Sequence, residues 1–501
     1  MKKFIWLSLS LCLIALLTSC ANPFVSRGDN LFNQAGWQEK RGNYLTAEKL
    51  YAQALKEFRK ADKPKQVLKC QYKLTDMNKI TMTYTFTEEA VRSLIKEHYP
   101  ETKPERIDQI IADKRLPQME INGQQYYFSD FLNTLFHVYP EFRSKPQPGA
   151  LGKSQGFFRV MSKYIYKKES APAGQTFVNP INYLAEGKVT IPREKLPKSG
   201  LYKIWLPMPL TTAAQQNIEM ISIEPRQYVK YPIKMDGDIG LVYLEIPLEE
   251  IKTDLAISQK FRFRHYEERF KVDPNKLGKY DTESPLYRRY TASGKNIAVT
   301  PSIALKAKEL AGDETNPLKI AKIFFDHIIW DLEYSFTPHA ALEALEIPES
   351  VFVHEHGYGD CGAQSMYFAA LCRAMGIPAR ASGGWQLFPV NTAGCGSHFW
   401  AQIYLPNYGW APIDTSAGQL GRYMPGLTDQ QQKDFADYFF LKMDPFRYLI
   451  QHDVDIPFIP GPDGPVVFSM VLQDPEAVCF EMDENPGLFL MDNWRLKVRQ
   501  L

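Results

Sequence analysis

The sequence has almost no net charge. Its 59 Lys and Arg residues are balanced by 57 Asp and Glu residues. Loss of residues 1–19 with an export signal would remove Lys2 and Lys3 and leave 57 basic and 57 acidic residues. A protein that binds nucleic acid through its phosphates normally carries a net basic face. The composition therefore gives no indication of a nucleic-acid partner, and none is predicted.

Long apolar runs are absent from residue 20 onward, where nothing reaches the roughly 18 apolar residues of a membrane-spanning helix. Residues 1–19 have a different layout. Two lysines precede an apolar stretch from Phe4 to Leu17, and this order is typical of an export signal. The stretch is short for a permanent membrane span. We therefore predict that residues 1–19 are a signal peptide.

The end of that signal contains a motif of its own. Leu17-Thr18-Ser19-Cys20 resembles the lipobox of bacterial lipoproteins, which implies cleavage before Cys20 and attachment of lipid to it. Ala21 favours the outer membrane by the same resemblance. The predicted location is the bacterial cell envelope, lipid-anchored and facing the periplasm where the cell has an outer membrane. The alternative is a plain signal peptide or a short anchor with an incidental cysteine.

Cysteine is scarce, with seven residues in 501. Cys12 would leave with the signal and Cys20 would carry lipid. The remaining cysteines are Cys70, Cys361, Cys372, Cys395 and Cys479. An odd number in an exported protein implies at least one free thiol. Cys361 and Cys372 lie three helical turns apart on one predicted helix, too far for a bridge. The pairing of the others stays open.

Residues 359–380 predict a loop, a helix and a strand, with Cys361 at the start of the helix. Ala363, Tyr367, Ala370, Leu371 and Ala374 recur at the spacing of a buried helical stripe. The helix is expected to end at Gly376-Ile377-Pro378. A cysteine at a helix N-terminus meets free backbone N–H groups and the positive end of the helix dipole. Both favour the thiolate, so a lowered pKa is expected for Cys361.

The next segment supplies a base and a group to orient it. Residues 398–405 alternate as a strand, with His398 on the same face as Trp400. Pro406-Asn407-Tyr408-Gly409 predicts a turn, and 410–414 returns as the partner strand. A hairpin of this length brings Asp414 beside His398, to within a residue or two of register.

Gly-Asp-Cys361, the ending Arg-Ala-Met-Gly-Ile-Pro-Ala-Arg380, His398-Phe-Trp and Gly-Trp-Ala-Pro-Ile-Asp414 together resemble the core of the transglutaminase-like superfamily. The resemblance covers about 300 to 425. It implies a papain-like α+β fold in which Cys361 is the nucleophile, His398 the general base and acid, and Asp414 the residue that orients the histidine. Members of the family are transamidases, peptidases and amidases, and none of these activities needs a cofactor or metal.

Two pairs of residues that precede the nucleophile in the sequence have more than one interpretation. His354-x-His356 could form half of a zinc site with Cys361 and His398 if its spacing is that of a strand. Loop or substrate-rim histidines are the favoured interpretation, and no metal is predicted. Trp330 and Tyr334 precede the nucleophile loop. Either is an ordinary core aromatic or a donor to the oxyanion, as upstream residues are in related enzymes.

The rest of the chain divides by composition. Residues 20–84 predict a helical hairpin that resembles one tetratricopeptide unit, and a cap packed on the rest is favoured over a partner-binding scaffold. A mixed, mostly helical region (85–170) and a β-sandwich-like domain (175–272) follow. The catalytic core spans 298–425. The extension 426–501 mixes aromatics with Pro and Gly, and no role is assigned to it.

Two functions of different class remain. The first is an exported, lipid-anchored cysteine enzyme that cleaves amide bonds through a thioester and passes the acyl group to water or to an amine. The second is a non-catalytic envelope lipoprotein that uses the core as an interaction module. The intact Cys, His and Asp favour the enzyme. Expected partners are a protein or peptide substrate, the membrane through Cys20, and a protein at the N-terminal helices.

Overall fold

The computed structural model of the protein describes residues 23–113, 115–143, 150–166, 175–387, 395–424 and 426–501. The predicted signal peptide and lipid-bearing Cys20 lie outside these residues. Within the described ranges, no helix is both long and apolar enough to cross a membrane. Helices and strands are both abundant, as the predicted α+β class requires.

The N-terminal half begins with helices and continues with strands. Its helices and strands are α1 (Pro23–Glu39), α2 (Tyr44–Lys60), α3 (Pro64–Thr83), β1 (Tyr84–Thr87), α4 (Glu88–His98), α5 (Pro104–Ala112), β2 (Gln118–Ile121), β3 (Gln124–Phe128), α6 (Phe131–Val138), α7 (Ala150–Ile165), β4 (Phe177–Ile191), β5 (Leu201–Pro207), β6 (Gln215–Glu224), β7 (Leu241–Pro247) and β8 (Leu255–Arg269). Thr87 caps α4 by accepting the backbone N–H of Ala90. Asn122 and Gly123 both have positive φ in the turn between β2 and β3.

The C-terminal half contains the predicted nucleophile helix and hairpin. Its helices and strands are α8 (Pro285–Thr291), α9 (Pro301–Ala311), α10 (Pro317–Asp331), β9 (Glu333–Tyr334), α11 (His339–Ala344), α12 (Glu349–His356), β10 (Tyr358–Gly359), α13 (Cys361–Ala374), β11 (Ala379–Leu387), β12 (Cys395–Leu405), β13 (Gly409–Ile413), α14 (Thr415–Tyr423), α15 (Asp429–Tyr438), β14 (Lys442–Met443), β15 (Arg447–Gln451), β16 (Glu476–Val478), α16 (Pro486–Asn493) and β17 (Arg495–Gln500).

Helices α1 to α3 pack against the body of the protein. The buried stripe of α2, with Tyr51, Leu55 and Phe58, forms one apolar cluster with Met77 of α3 and Ala341 of α11. Because this cluster includes a residue of α11, the described N-terminal helices are packed on the C-terminal half of the protein.

Two sheets form the β region. One has the order β14-β8-β4-β17, with β6 also paired to β8, and the other has the order β16-β5-β7. Alternate side chains of both sheets, including Tyr183, Ile204, Leu244 and Phe261, share one core. The last strands of the chain complete both sheets, so the C-terminal extension is built into the β region.

The core around α13 is a helix laid on a four-stranded antiparallel sheet of order β13-β12-β11-β15. Helix α13 packs on β11 and β12 and is covered by α9, α10, α12 and α14. Its residues 362–373 are therefore buried on every side, where the spacing predicted a single buried stripe. Strand β15 lies beyond residue 425, so the core sheet uses the C-terminal extension as well.

Candidate active site

Cys361 is the first residue of α13, as the sequence predicted. Asp360 caps this helix, and its Oδ1 accepts the N–H groups of Gly362 at 3.0 Å and Ala363 at 3.2 Å. A Cβ added to Gly362 would lie 3.2 Å from the ring of Phe399. Glycine thus lets β12 approach the start of α13 closely. The backbone N–H of Phe399, next to His398, acts on the Cys361 thiol so as to lower its pKa.

The pKa of the Cys361 thiol differs from the prediction. Burial and the charge of Asp360 raise it well above its usual value, although the N–H groups of Phe399 and Gly362 act to lower it. The expectation of a lowered pKa was wrong because the dipole argument ignored desolvation and the capping carboxylate. Cys361 therefore needs a partner that removes its proton.

His398 and Asp414 meet across the hairpin of β12 and β13. Ala401 pairs with Ile413, and the same register sets Asp414 against Trp400. Asp414 is thus two residues away from exact pairing with His398, within the predicted range. Nε2 of His398 lies 2.8 Å from Oδ2 of Asp414. This contact leaves Nδ1 as the ring nitrogen able to exchange a proton with Cys361. The structure thus brings all three predicted residues into one region, at the junction of α13 and β12.

Asp414 is fully buried, and its carboxylate is bonded to charged and polar groups. Its Oδ1 caps α14 by accepting the N–H of Ala417 at 2.8 Å, and it also accepts the Ser416 hydroxyl. Burial alone would raise the pKa of Asp414, but Arg447 and His398 hold it well below its usual range. The carboxylate therefore stays ionised and fixes the orientation of His398.

Arg447 is a site residue that sequence reasoning missed. It lies on β15 in the C-terminal extension and is completely buried. One guanidinium nitrogen is 2.5 Å from Oδ2 of Asp414 and the other is 2.8 Å from Oδ2 of Asp444. The guanidinium thus neutralises two buried carboxylates. Local sequence offered no signal beyond an arginine in an otherwise apolar strand, because both partners depend on tertiary contacts.

A second histidine network lies on the other side of Cys361, and the sequence did not indicate it. Nε2 of His339 is 2.7 Å from Asp360, and Nδ1 is 2.7 Å from Glu349. Burial would lower the pKa of His339, but the two carboxylates raise it well above the usual value. His339 is therefore a partly buried imidazolium, with a side chain that is 23% exposed, and it fixes the cap of the nucleophile helix.

A cavity of about 330 Å³ opens beside Cys361. It is lined by Tyr334, Phe336, His339, Asp360, Cys361, Ser397, Phe399, Phe468, Met470, Val471, Gln473, Asp474, Pro475, Glu476 and Met491. Half of this lining comes from residues 468–491 of the C-terminal extension. Of the two aromatics considered for the oxyanion, Tyr334 lines the cavity, whereas Trp330 does not and is 39% exposed.

The proposed half zinc site has a different geometry from that expected. His354 and His356 lie on helix α12, which begins directly after Pro348, so the strand-like spacing was wrong. Nδ1 of His354 is 3.2 Å from the Tyr367 hydroxyl, and Nδ1 of His356 is 2.9 Å from a backbone carbonyl. In the described part of the chain, no three His, Cys, Asp or Glu residues are grouped so that they could hold a metal ion.

The described cysteines Cys70, Cys361, Cys372 and Cys479 are all free thiols. Cys372 is completely buried inside α13. The side chain of Cys395 lies outside the described set.

Comparison with known proteins identifies the core. The family model of the transglutaminase-like superfamily matches residues 305–415. An uncharacterized protein of Haemophilus influenzae is 22% identical over 292 residues, which are 53% of this chain and 77% of that protein.

Among solved structures, a candidate cysteine protease from Cytophaga hutchinsonii aligns with a TM-score of 0.39 and 14% identity over 65% of this chain and 92% of its own. The periplasmic domain of TgpA from Pseudomonas aeruginosa, bound to ethylmercury, aligns with a TM-score of 0.25 and 13% identity over 52% and 93%. Scores this low support no conclusion about this chain. The family match is sufficient by itself: residues 305–415, which contain Cys361, His398 and Asp414, are a domain of the transglutaminase-like superfamily.

Proposed function

We propose that the protein is an exported, lipid-anchored cysteine enzyme that acts on amide bonds through a thioester intermediate. The observation that carries the proposal is the bond between His398 and the buried Asp414 at the point where β12 meets Cys361. A buried carboxylate with its own arginine has no need of a histidine partner for stability alone. The same pair provides what a thiol of raised pKa requires, which is an oriented base.

The first half of the reaction forms the thioester. His398 takes the Cys361 proton on Nδ1 while the sulfur attacks the amide carbonyl carbon, and the carbonyl oxygen becomes an oxyanion. When the oxyanion collapses, the C–N bond breaks and His398 gives its proton to the leaving amine. Asp414 stays ionised throughout and stabilises the imidazolium.

Two groups can donate hydrogen bonds to the oxyanion, the backbone N–H of Cys361 and the hydroxyl of Tyr334. Asp360 accepts the N–H groups of Gly362 and Ala363, which leaves the N–H of Cys361 available at the start of the helix. Tyr334 lines the same cavity. Burial and the neighbouring charges of Cys361 and Asp360 raise the pKa of Tyr334 well above its usual value. Its hydroxyl therefore stays protonated and can donate a hydrogen bond to the oxyanion.

The second half decides the class of enzyme. Water that attacks the thioester gives a peptidase or amidase, and an amine gives a transamidase. His398 removes the proton of either nucleophile, so the same residues serve both outcomes. The predicted cell-envelope location makes envelope proteins and peptides the local substrates.

Activity of the full chain in detergent tests the proposal. Hydrolysis is measured on a quenched fluorescent peptide library, and transamidation by incorporation of dansylcadaverine into casein. Cys361→Ala and Cys361→Ser should remove whichever activity is found. Cys479→Ser is the matched control, because that buried thiol does not line the cavity. Full activity in Cys361→Ala would end the proposal.

Lipid anchoring rests on the sequence of residues 1–20 and has its own test. Labelled palmitate should enter the wild-type protein in a bacterial host and be absent from Cys20→Ser. Equal labelling of the two proteins would contradict an anchor at Cys20.

One observation favours the scaffold alternative. The raised pKa of Cys361 is that of an ordinary buried thiol. In a scaffold, the Cys361 thiol would have this raised pKa and low reactivity whether or not His398 is present. Thiol reactivity that depends on His398 therefore separates the enzyme from the scaffold.

A further inference from the structure

The wall of the cavity opposite the nucleophile helix is a rigid segment of the C-terminal extension, residues 467–476. Both carboxylate oxygens of Glu476 accept backbone N–H groups, from Val467 at 2.9 Å and from Phe468 at 2.7 Å. These bonds close residues 467–476 into a loop. The side chain of Glu476 therefore fixes the shape of this loop.

The same loop is bonded to the core sheet. The amide of Gln473 donates to the carbonyl oxygens of Gly384 on β11 and His398 on β12, both at 2.8 Å. The Gln451 side chain on β15 donates to the carbonyl of Met470 and accepts the N–H of Leu472. The wall is thus held in register with the strand that carries His398.

Apolar side chains form much of the cavity lining. They are Phe336, Phe399, Phe468, Met470, Val471, Pro475 and Met491. The carboxyl and imidazole groups among the lining residues belong to His339, Asp360, Asp474 and Glu476. The first two are paired with each other, and Glu476 is bonded to the loop backbone.

Asp474 is the exception. It follows the anchored Gln473 directly and precedes Pro475, yet its carboxylate has no hydrogen bond or ion pair with any residue that the structure describes. Burial raises its pKa to about 6, so it is ionised near pH 7.5. The Asp474 side chain is only partly exposed, and a cation bound to its carboxylate would compensate for the lost solvent.

Resting on the proposed function, we infer that the cavity binds the cationic side chain of the acyl-donor substrate, a Lys or Arg, with its aliphatic stem against the Phe468–Met470–Val471 wall and its charged head on Asp474. Lysine and arginine combine a long apolar stem with a cationic end. This matches an apolar cavity with one unpartnered carboxylate. The volume of about 330 Å³ suits one side chain and its peptide groups.

Three affinity labels test the inference on the full chain in detergent at about pH 7.5. They are the chloromethyl ketones of N-acetyl-lysine, N-acetyl-norleucine and N-acetyl-glutamate, of which the first two share a four-carbon stem and differ in the amine. In each, the Cys361 sulfur displaces chloride from the methylene carbon. Second-order rates of Cys361 alkylation are followed by mass spectrometry. We expect the lysine label to react at least about tenfold faster, as a charge-assisted contact allows, and a glutamate label to be slowest.

Asp474→Asn should reduce the lysine preference, the ratio of the lysine rate to the norleucine rate, to about onefold. Asp483→Asn, which removes an exposed carboxylate paired with Arg59, should keep the preference and controls for net charge. The comparison of three labels on the wild-type protein stands even where the Asp474 variant does not fold.

Each contrary result has one meaning. Equal rates for the lysine and norleucine labels in the wild type would overturn the inference while leaving the proposed function intact. A lysine preference that survives in Asp474→Asn would overturn it as well, because another group would then bind the cation. Failure of every label to alkylate Cys361 would contradict the proposed function, and the inference would fall with it.

Discussion

Two histidine networks flank Cys361, and their chemistry differs although both pair a histidine with buried carboxylates. His398 has one carboxylate partner, and Arg447 already neutralises that partner. His339 uses both ring nitrogens on two carboxylates and is locked as a cation. A histidine with a free ring nitrogen can move a proton, whereas one held at both nitrogens can only position its partners. Arg447 neutralises the carboxylate partner of His398, whereas the two carboxylates that hold His339 have the imidazolium itself as their cation.

The largest expected effect comes from the network that has a free nitrogen. His398→Ala should lower kcat/KM by roughly 10²–10⁴-fold, the usual contribution of a general base. The thermal midpoint should change little, since Asp414 keeps its ion pair with Arg447 when the imidazole is lost. The measurement pairs an activity assay with a thermal melt.

His354→Ala is the matched control, because that imidazole is hydrogen-bonded to Tyr367 and does not line the cavity. It should keep full activity. Retained activity in His398→Ala would remove the distinction between the two networks.

Loss of the arginine should have the next largest effect, and on stability. Arg447→Met leaves Asp414 and Asp444 buried without a cation, and breaking a buried ion pair costs about 3–5 kcal/mol. The free energy of unfolding from urea titration measures this loss. Arg289→Met is the control: its ion pair with Asp238 is about half exposed and should contribute less than ~1 kcal/mol. Equal losses in the two variants would contradict the importance given to Arg447.

His339→Gln should cost less than Arg447→Met. The pKa of Glu349 is already raised by burial, so this carboxyl can take up a proton when the imidazolium is lost. The expected loss is about 1–3 kcal/mol, the range for an unsatisfied buried group. Activity should fall less than in His398→Ala, because the residue positions the helix cap without exchanging a proton. A variant as inactive as His398→Ala, with unchanged stability, would instead place His339 in the reaction.

The smallest effect is a difference in pH dependence. The folded pKa of His339 is raised, so its stabilisation is complete below the unfolded pKa of about 6.5 and is lost as pH rises through the folded pKa. The difference in unfolding free energy between wild type and His339→Gln should therefore be larger at about pH 6 than at about pH 10.

Asp414 should show the opposite sign. Its folded pKa is depressed, so its stabilisation is present above the unfolded pKa of about 3.9 and is lost as pH falls through the folded pKa. Arg447→Met should weaken this acid-side loss. Urea titrations across pH measure both dependences, and parallel curves for all variants would contradict them.

The residues that the sequence identified are those fixed by local geometry. A cysteine before a helical stripe and a turn of four residues between two strands place Cys361, His398 and Asp414 without knowledge of the rest of the chain. Arg447, His339 and Asp474 reach the site only through tertiary contacts, with β15, α11 and the 467–476 loop, and so left no periodic signal. The prediction of a lowered pKa for Cys361 was wrong for the same reason, because the desolvation of the thiol depends on tertiary packing that the local sequence does not show.

The central claim is that His398 removes the proton of Cys361, and its most direct test is the rate at which iodoacetamide alkylates Cys361 in the full chain as a function of pH. In the wild type, labelling located by mass spectrometry should be selective for Cys361 and already fast near neutral pH, because proton transfer to the imidazole supplies the thiolate. In His398→Ala, the rise should move above the usual thiol pKa of about 8.5, because burial raises the pKa of Cys361. Identical pH profiles for the two proteins would contradict the claim and favour the scaffold.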